Sequence, residues 1–167
     1  MNELLPIVDK SGKVIGKADR SACHSDKSLI HPVVHLHVMN SRSELLLQKR
    51  SMEKDLLPGY WDTGVGGHVS YGEEPFLSLQ RETKEEIGIS AENAKLLYTY
   101  INAAKIETEY VYSWLLRYDG PFTINKDELD EVKFWSRGGI EENLGKSVFT
   151  RNFEQEFKML VMNNIFG

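Results

Sequence analysis

Cysteine is almost absent from this chain. Cys23 stands alone among 167 residues, so an intrachain disulfide is excluded and a reducing cytoplasm is the compartment the sequence fits. No apolar run approaches the roughly 20 residues that a membrane-spanning helix needs, so no membrane partner is expected. The opening Met1-Asn2-Glu3-Leu4-Leu5-Pro6 lacks the basic and apolar stretches of a secretion signal. Basic charge is also short: 20 Lys and Arg stand against 25 Asp and Glu, a formal net charge of −5. Without a long-range basic field, nucleic acid is not an expected partner, and any phosphate chemistry must rely on local cations or metals. Repeats, low-complexity tracts and Pro/Gly/Ser linkers are missing too, so residues 1–167 read as one continuous domain. What is present is ordinary for a folded protein: 41% hydrophobic and 27% charged residues, in a length that can bury one real core.

Periodicity predicts the elements. Strand character appears at Lys13–Gly16, Val33–Met39, Glu44–Gln48, Lys95–Ile101, Tyr110–Arg117 and Glu131–Trp135. Asn40-Ser41-Arg42-Ser43 reads as a hairpin turn, and Asp119-Gly120-Pro121 as a break between two later strands. Pro75 and Gly88 bracket a helix whose Phe76, Leu79, Thr83 and Ile87 form one core-facing stripe. A C-terminal helix over about residues 150–165 turns Phe153, Phe157, Leu160 and Val161 inward. Strands alternating irregularly with two or three helices predict an α+β fold, an α/β/α sandwich with a mixed sheet between helices.

On the first helix, Glu82, Glu85 and Glu86 are spaced i, i+3, i+4 and share an arc of roughly 100° beside the apolar stripe. Like charges so placed repel, and a hard cation with oxygen ligands would relieve them. For an isolated Glu-Glu pair a solvated acidic face is the usual explanation. The surrounding residues change that weighting. From Gly67 the chain reads Gly67, five residues, Glu73, seven residues, Arg81-Glu82, two residues, Glu85-Glu86, one residue, Gly88-Ile89. This resembles the Nudix box, G-x5-E-x7-R-E-U-x-E-E-x-G-U with U aliphatic. A chance match of its fixed letters is on the order of one in a million at ordinary residue frequencies. Thr83, at the first U position, is the one departure. Gly64-Val65-Gly66-Gly67 is a poor dinucleotide fingerprint, because its third glycine would fall on Val69.

The resemblance implies a loop–helix–loop site in which Glu82, Glu85 and Glu86 bind Mg²⁺ or Mn²⁺ and act catalytically, with help from the Gly67 carbonyl. It gives Glu73, Arg81 and Gly88 structural roles within the motif. Bound metals would neutralise a diphosphate and favour ionisation of the attacking water. The expected activity is hydrolysis of the phosphoanhydride bond in a small diphosphate.

Beyond the box (residues 67–89), the chain is similar to type I isopentenyl-diphosphate isomerases over about residues 5 to 136, and residues 1–30 read as an isomerase-like N-terminal extension of the domain. Arg20, His24, His31, Arg50, Lys54, Pro58-Gly59-Tyr60-Trp61, His68, Glu107 and Glu109 fall where those enzymes carry functional residues. That likeness implies a second metal site from His24, His31, His68, Glu107 and Glu109, able to hold Zn²⁺, Mn²⁺ or Mg²⁺. It also implies that Arg20, Arg50 and Lys54 hold the diphosphate. A single histidine is more often a surface or hydrogen-bonded residue, and His35 and His37 are read that way. Two departures count against isomerase chemistry: the catalytic cysteine position is Gly66, and a carbocation-shielding tryptophan aligns with Asn152. Isomerases typically keep only the last box glutamate, whereas this chain has the full set. A hydrolase is therefore expected; an altered isomerase and a non-catalytic diphosphate-binding module are the alternatives. Cys23 as a displaced thiol carries little weight, since its neighbour His24 aligns with a ligand. The leaving group, the general base and a homodimeric state stay open.

Overall fold

A computed structural model describes residues 2–167. Strands β1 (Leu4–Val8) and β2 (Val14–Asp19) form an antiparallel hairpin of their own, followed by the one-turn helix α1 (Arg20–Cys23). The chain continues through β3 (Ile30–Met39), β4 (Leu45–Arg50), β5 (Trp61–Thr63), β6 (Val65–His68) and helix α2 (Pro75–Ile87). It ends with β7 (Lys95–Ala103), β8 (Thr108–Arg117), β9 (Leu129–Trp135), α3 (Arg137–Asn143) and α4 (Arg151–Met162).

Strand β3 is the spine of the main sheet. It pairs parallel with β8 and antiparallel with β6, and β7 lies antiparallel outside β8. The turn after Met39 leads into β4, which carries β5 and β9 antiparallel on its two edges. The expected mixed sheet between helices is the architecture observed.

The alternation of β3 divides the molecule into two layers, because successive side chains of a strand point to opposite faces. Val34, Leu36 and Val38 pack with Leu79 and Ile87 of α2. Met39, from the other face, packs with Phe153, Phe157 and Leu160 of α4 and Ile140 of α3. Each fully buried Leu or Phe contributes about 1.5–3 kcal/mol relative to exposure. A third small cluster, Leu5, Ile7 and Cys23, lies under the hairpin, where burial pushes the Cys23 thiol up.

Helix α2 has the expected limits. Gly88 takes the left-handed conformation (φ 72°), and the amides of Thr123 and Asn125 bond the Ile87 and Glu86 carbonyls. Thr83 is tolerated on the buried stripe because its hydroxyl donates to the Leu79 carbonyl at 2.7 Å. Helix α4 is capped by Thr150, whose hydroxyl accepts from the Phe153 amide.

Strands β1, β5 and β6 and helices α1 and α3 are absent from the sequence reading. β5 and β6 are short and run through Gly64, Gly66 and Gly67, so neither propensity nor alternation marks them. They form because β3 and β4 offer open edges. Helix α3 begins Arg137-Gly138-Gly139, a poor helix sequence rescued by Ser136, whose hydroxyl accepts from the Gly139 amide.

Candidate active site

The turn from β6 into α2 gathers the box residues. Glu82 lies directly over Gly67, where a Cβ would overlap its carboxyl carbon, so any larger residue would push this side chain out of its place. Arg81 is the hub. Its guanidinium reaches both oxygens of Glu73 (3.3 and 3.0 Å), Glu82 (2.6 Å), the His68 carbonyl (3.3 Å) and, more distantly, Glu85 (3.7 Å). Glu73 also accepts from Ser78 at 2.5 Å. These contacts raise the Arg81 guanidinium above its ordinary value and lower Glu73. Glu86 accepts from the Gly66 amide and from Gln48, both at 3.3 Å. Burial, reinforced by Glu82, pushes its carboxyl up to about 8; burial raises Glu82 as well, against Arg81.

A cavity of about 550 Å³ opens above this helix. Its wall brings together Gly67, Glu82, Glu85 and Glu86 with the cations Arg20, Arg50 and Lys54, and with His68 and Glu109. Each cation leans on a carboxylate of the same wall: Arg20 on Glu3 (3.2 Å), Lys54 on Glu128 (3.2 Å), Arg50 on Asp62 (3.9 Å). The three box carboxylates surround the space without converging. Among the described residues, ligand atoms gather within 4.8 Å in His24–His31–His68 and in His31–Glu107–Glu109, not in Glu82–Glu85–Glu86. Mutual repulsion and the pull of Arg81 on Glu82 account for the spread.

The second cluster lies beside the cavity and shares His68 and Glu109 with it; His24, His31 and Glu107 are not part of the cavity wall. His24 follows α1, His31 and Glu109 are register partners across β3 and β8, and His68 ends β6. The Nε2 atoms of His24 and His68 are 3.0 Å apart, and Glu107 Oε2 is 3.6 Å from both His24 and His31. His31 Nε2 and Glu107 Oε2 are buried without a hydrogen-bond partner. Burial pulls the His31 imidazole down and takes His68, beside Arg20 and the other histidines, to about 3. Neutral imidazoles are the form that binds metals.

A third set of polar residues was not anticipated. Glu156 of α4 is fully buried and accepts from His35 Nδ1 (2.7 Å), His37 Nε2 (2.9 Å) and Tyr100 (3.0 Å), with Tyr98 at 3.4 Å and Ser113 in very close contact. His35 and His37 are thus hydrogen-bonded, as read from the sequence, but both are interior. The available clue was Glu156 itself, a charged residue on the Phe153–Phe157–Leu160 stripe. His35 and Asn152 also line the cavity.

Fold and site together define the class: the chain belongs to the Nudix family, whose NUDIX domain pattern matches residues 29–153. Among its relatives, the isopentenyl-diphosphate Delta-isomerase of Streptomyces avermitilis is 28% identical over 156 residues, 90% of this chain and 79% of that protein. An uncharacterised Nudix hydrolase of Listeria innocua is 29% identical over 117 residues, 67% of each chain. The solved structure of DR0079 from Deinococcus radiodurans shares the fold, with a TM-score of 0.82 at 20% identity, covering 94% of this chain and 98% of that one.

Proposed function

We propose that this chain is a divalent-metal-dependent Nudix hydrolase that cleaves the phosphoanhydride bond of a small, X-linked diphosphate. One observation carries the reading: the complete carboxylate set Glu82, Glu85 and Glu86 faces the same cavity as Arg20, Arg50 and Lys54. Carboxylates alone would repel a diphosphate and cations alone would only bind it, whereas both in one cavity suit a metal–diphosphate complex.

The residues fit metals at both places. At the helix, Glu86 is a half-buried carboxyl with only neutral donors beside it, which a cation would let ionise. At the histidine cluster, His31 Nε2 and Glu107 Oε2 are buried without partners. His24 and His68 turn their Nε2 atoms toward each other at 3.0 Å, so one neutral imidazole donates to the other until an ion takes both nitrogens as ligands. Glu82, Glu85 and Glu86 would hold Mg²⁺ or Mn²⁺, and the histidine cluster with Glu107 and Glu109 a more borderline ion. When bound, such ions supply charge neutralisation and water activation. The chain's own residues then hold the phosphates through Arg20, Arg50 and Lys54, and Arg81 keeps Glu82 turned toward the cavity.

The test is a screen of nucleoside, sugar and prenyl diphosphates with Mg²⁺ or Mn²⁺, read out as released phosphate or monophosphate. Turnover is expected with one class and should vanish in excess chelator; undiminished turnover in chelator would overturn the metal mechanism. The isomerase reading rests on the Streptomyces relative. It is disfavoured because Gly66 has no proton to give. Deuterium incorporation from heavy water during interconversion of isopentenyl and dimethylallyl diphosphates would reverse the choice.

A further inference from the structure

We propose that His35 contacts the substrate directly: its Nε2, open to the cavity opposite Gly66, donates a hydrogen bond to a phosphate oxygen of the bound diphosphate, and Glu156 is its positioning residue. This rests on the diphosphate reading above.

The two ring nitrogens of His35 are placed differently. Nδ1 is 2.7 Å from Glu156 Oε2, and an ionised carboxylate only accepts, so Nδ1 carries a proton. Nε2 has no hydrogen-bond partner among the described residues, and the ring lines the cavity. It is open there because residue 66 has no side chain. A Cβ on Gly66 would stand 3.6 Å from His35 Cδ2 and 3.9 Å from Nε2, so any larger side chain would cover that edge.

The support behind the ring is unusual for a core. Five side chains converge on the Glu156 carboxylate from β3, β7 and β8, and an apolar cluster of the same volume would be as stable or more so. Stability alone does not account for this network, which fixes the His35 and His37 rings; of the two, His35 lines the cavity. Burial pulls His35 down, but the charge and hydrogen bond of Glu156 lift it to about 9, so that both nitrogens donate at neutral pH. Burial raises Glu156, and His35 and His37 hold it well below its ordinary value. Arg20, Arg50 and Lys54 each share their charge with a carboxylate on the cavity wall. His35 takes its carboxylate from the core side instead, which leaves the donor on the cavity side free for an anion. A charge-assisted donor preset in this way is the kind that strengthens as charge develops on a phosphate.

Calorimetric titration of the Mg²⁺-loaded protein with methylenediphosphonate, a non-hydrolysable diphosphate, tests the assignment. His35→Ala should weaken binding about tenfold or more and lower kcat on the screened substrate about a hundredfold. Its affinity for Mn²⁺ without the diphosphonate should be unchanged, and added imidazole should restore part of the lost turnover. If His35→Ala does not fold, Gly66→Val serves, since it keeps the His35–Glu156 pair and covers Nε2; it too should weaken binding. Glu156→Gln should shift the ¹⁵N resonances of the His35 ring and weaken binding in the same direction. Wild-type affinity in the variants that fold would overturn the role of His35 while leaving the diphosphate reading in place. Failure of the wild-type protein to bind methylenediphosphonate would overturn both.

Discussion

Glu86 is a half-buried carboxyl group on the cavity wall that accepts from two neutral donors, and its raised value follows from that partial burial and from Glu82. Its folded value of about 8 lies above the ordinary 4.5, so in the metal-free protein the protonated form favours folding. That contribution is complete below pH ~4.5 and is lost as pH rises through 8. A divalent ion at the carboxylate reverses the preference. The melting-temperature gain on adding Mg²⁺ should therefore widen from pH 5 to pH 8.5, and Glu86→Gln should flatten both curves. The same substitution should lower kcat about a hundredfold or more by removing ligand charge. A pH-independent Mg²⁺ gain in the wild type would show that Glu86 does not meet the cation. At this scale legibility depended on distance along the chain. Glu82, Glu85 and Glu86 share one helix, so their spacing alone places them together. Glu156 meets His35 from 121 residues away, and no local spacing encodes that pairing.

The two helical layers are separable because β3 sends alternate side chains to α2 and α4. Phe153 is fully buried on α4 between Phe149 and Phe157, with ring centroids 5.3 and 6.1 Å away. Phe153→Ala should cost about 3–5 kcal/mol in urea unfolding, through lost burial and the cavity left behind. Mn²⁺ affinity at the α2 carboxylates should not change, since α2 packs on the opposite face. A loss of that affinity in the folded variant would mean that the layers are coupled through β3. The elements most legible from sequence were those whose own residues alternate or recur, such as β3, β8 and α2. The strands β5 and β6 depend on partners, and their glycines serve the site: Gly67 makes room for Glu82, and Gly66 leaves the His35 edge uncovered.

The whole molecule has an N-terminal unit that pairs with no strand of the main sheet. β1 packs along β3, and single hydrogen bonds add to that contact, among them Tyr71 amide to Leu4 carbonyl (3.0 Å) and Thr108 hydroxyl to Lys27 carbonyl (2.9 Å). The hairpin leads through α1 to His24, which meets His68 of the body at 3.0 Å. An ion held by His24, His31 and His68 would therefore be a cross-link between the chain's first segment and its sheet. Opening the segment would require releasing the ion, so the open population should fall by the factor 1 + [L]/Kd. At an ion concentration about 100 times its dissociation constant, cleavage before residue 30 by a dilute protease should slow about a hundredfold. His31→Ala should abolish that protection while sparing the Mg²⁺ response of Glu86; equal cleavage rates with and without Zn²⁺ or Mn²⁺ in the wild type would show that no such link forms. Cys23, buried under the hairpin beside His24, has no second thiol to join. With an ion bound, the histidines would give this chain a fastening that chelation undoes, sensitive to metal supply rather than to redox state.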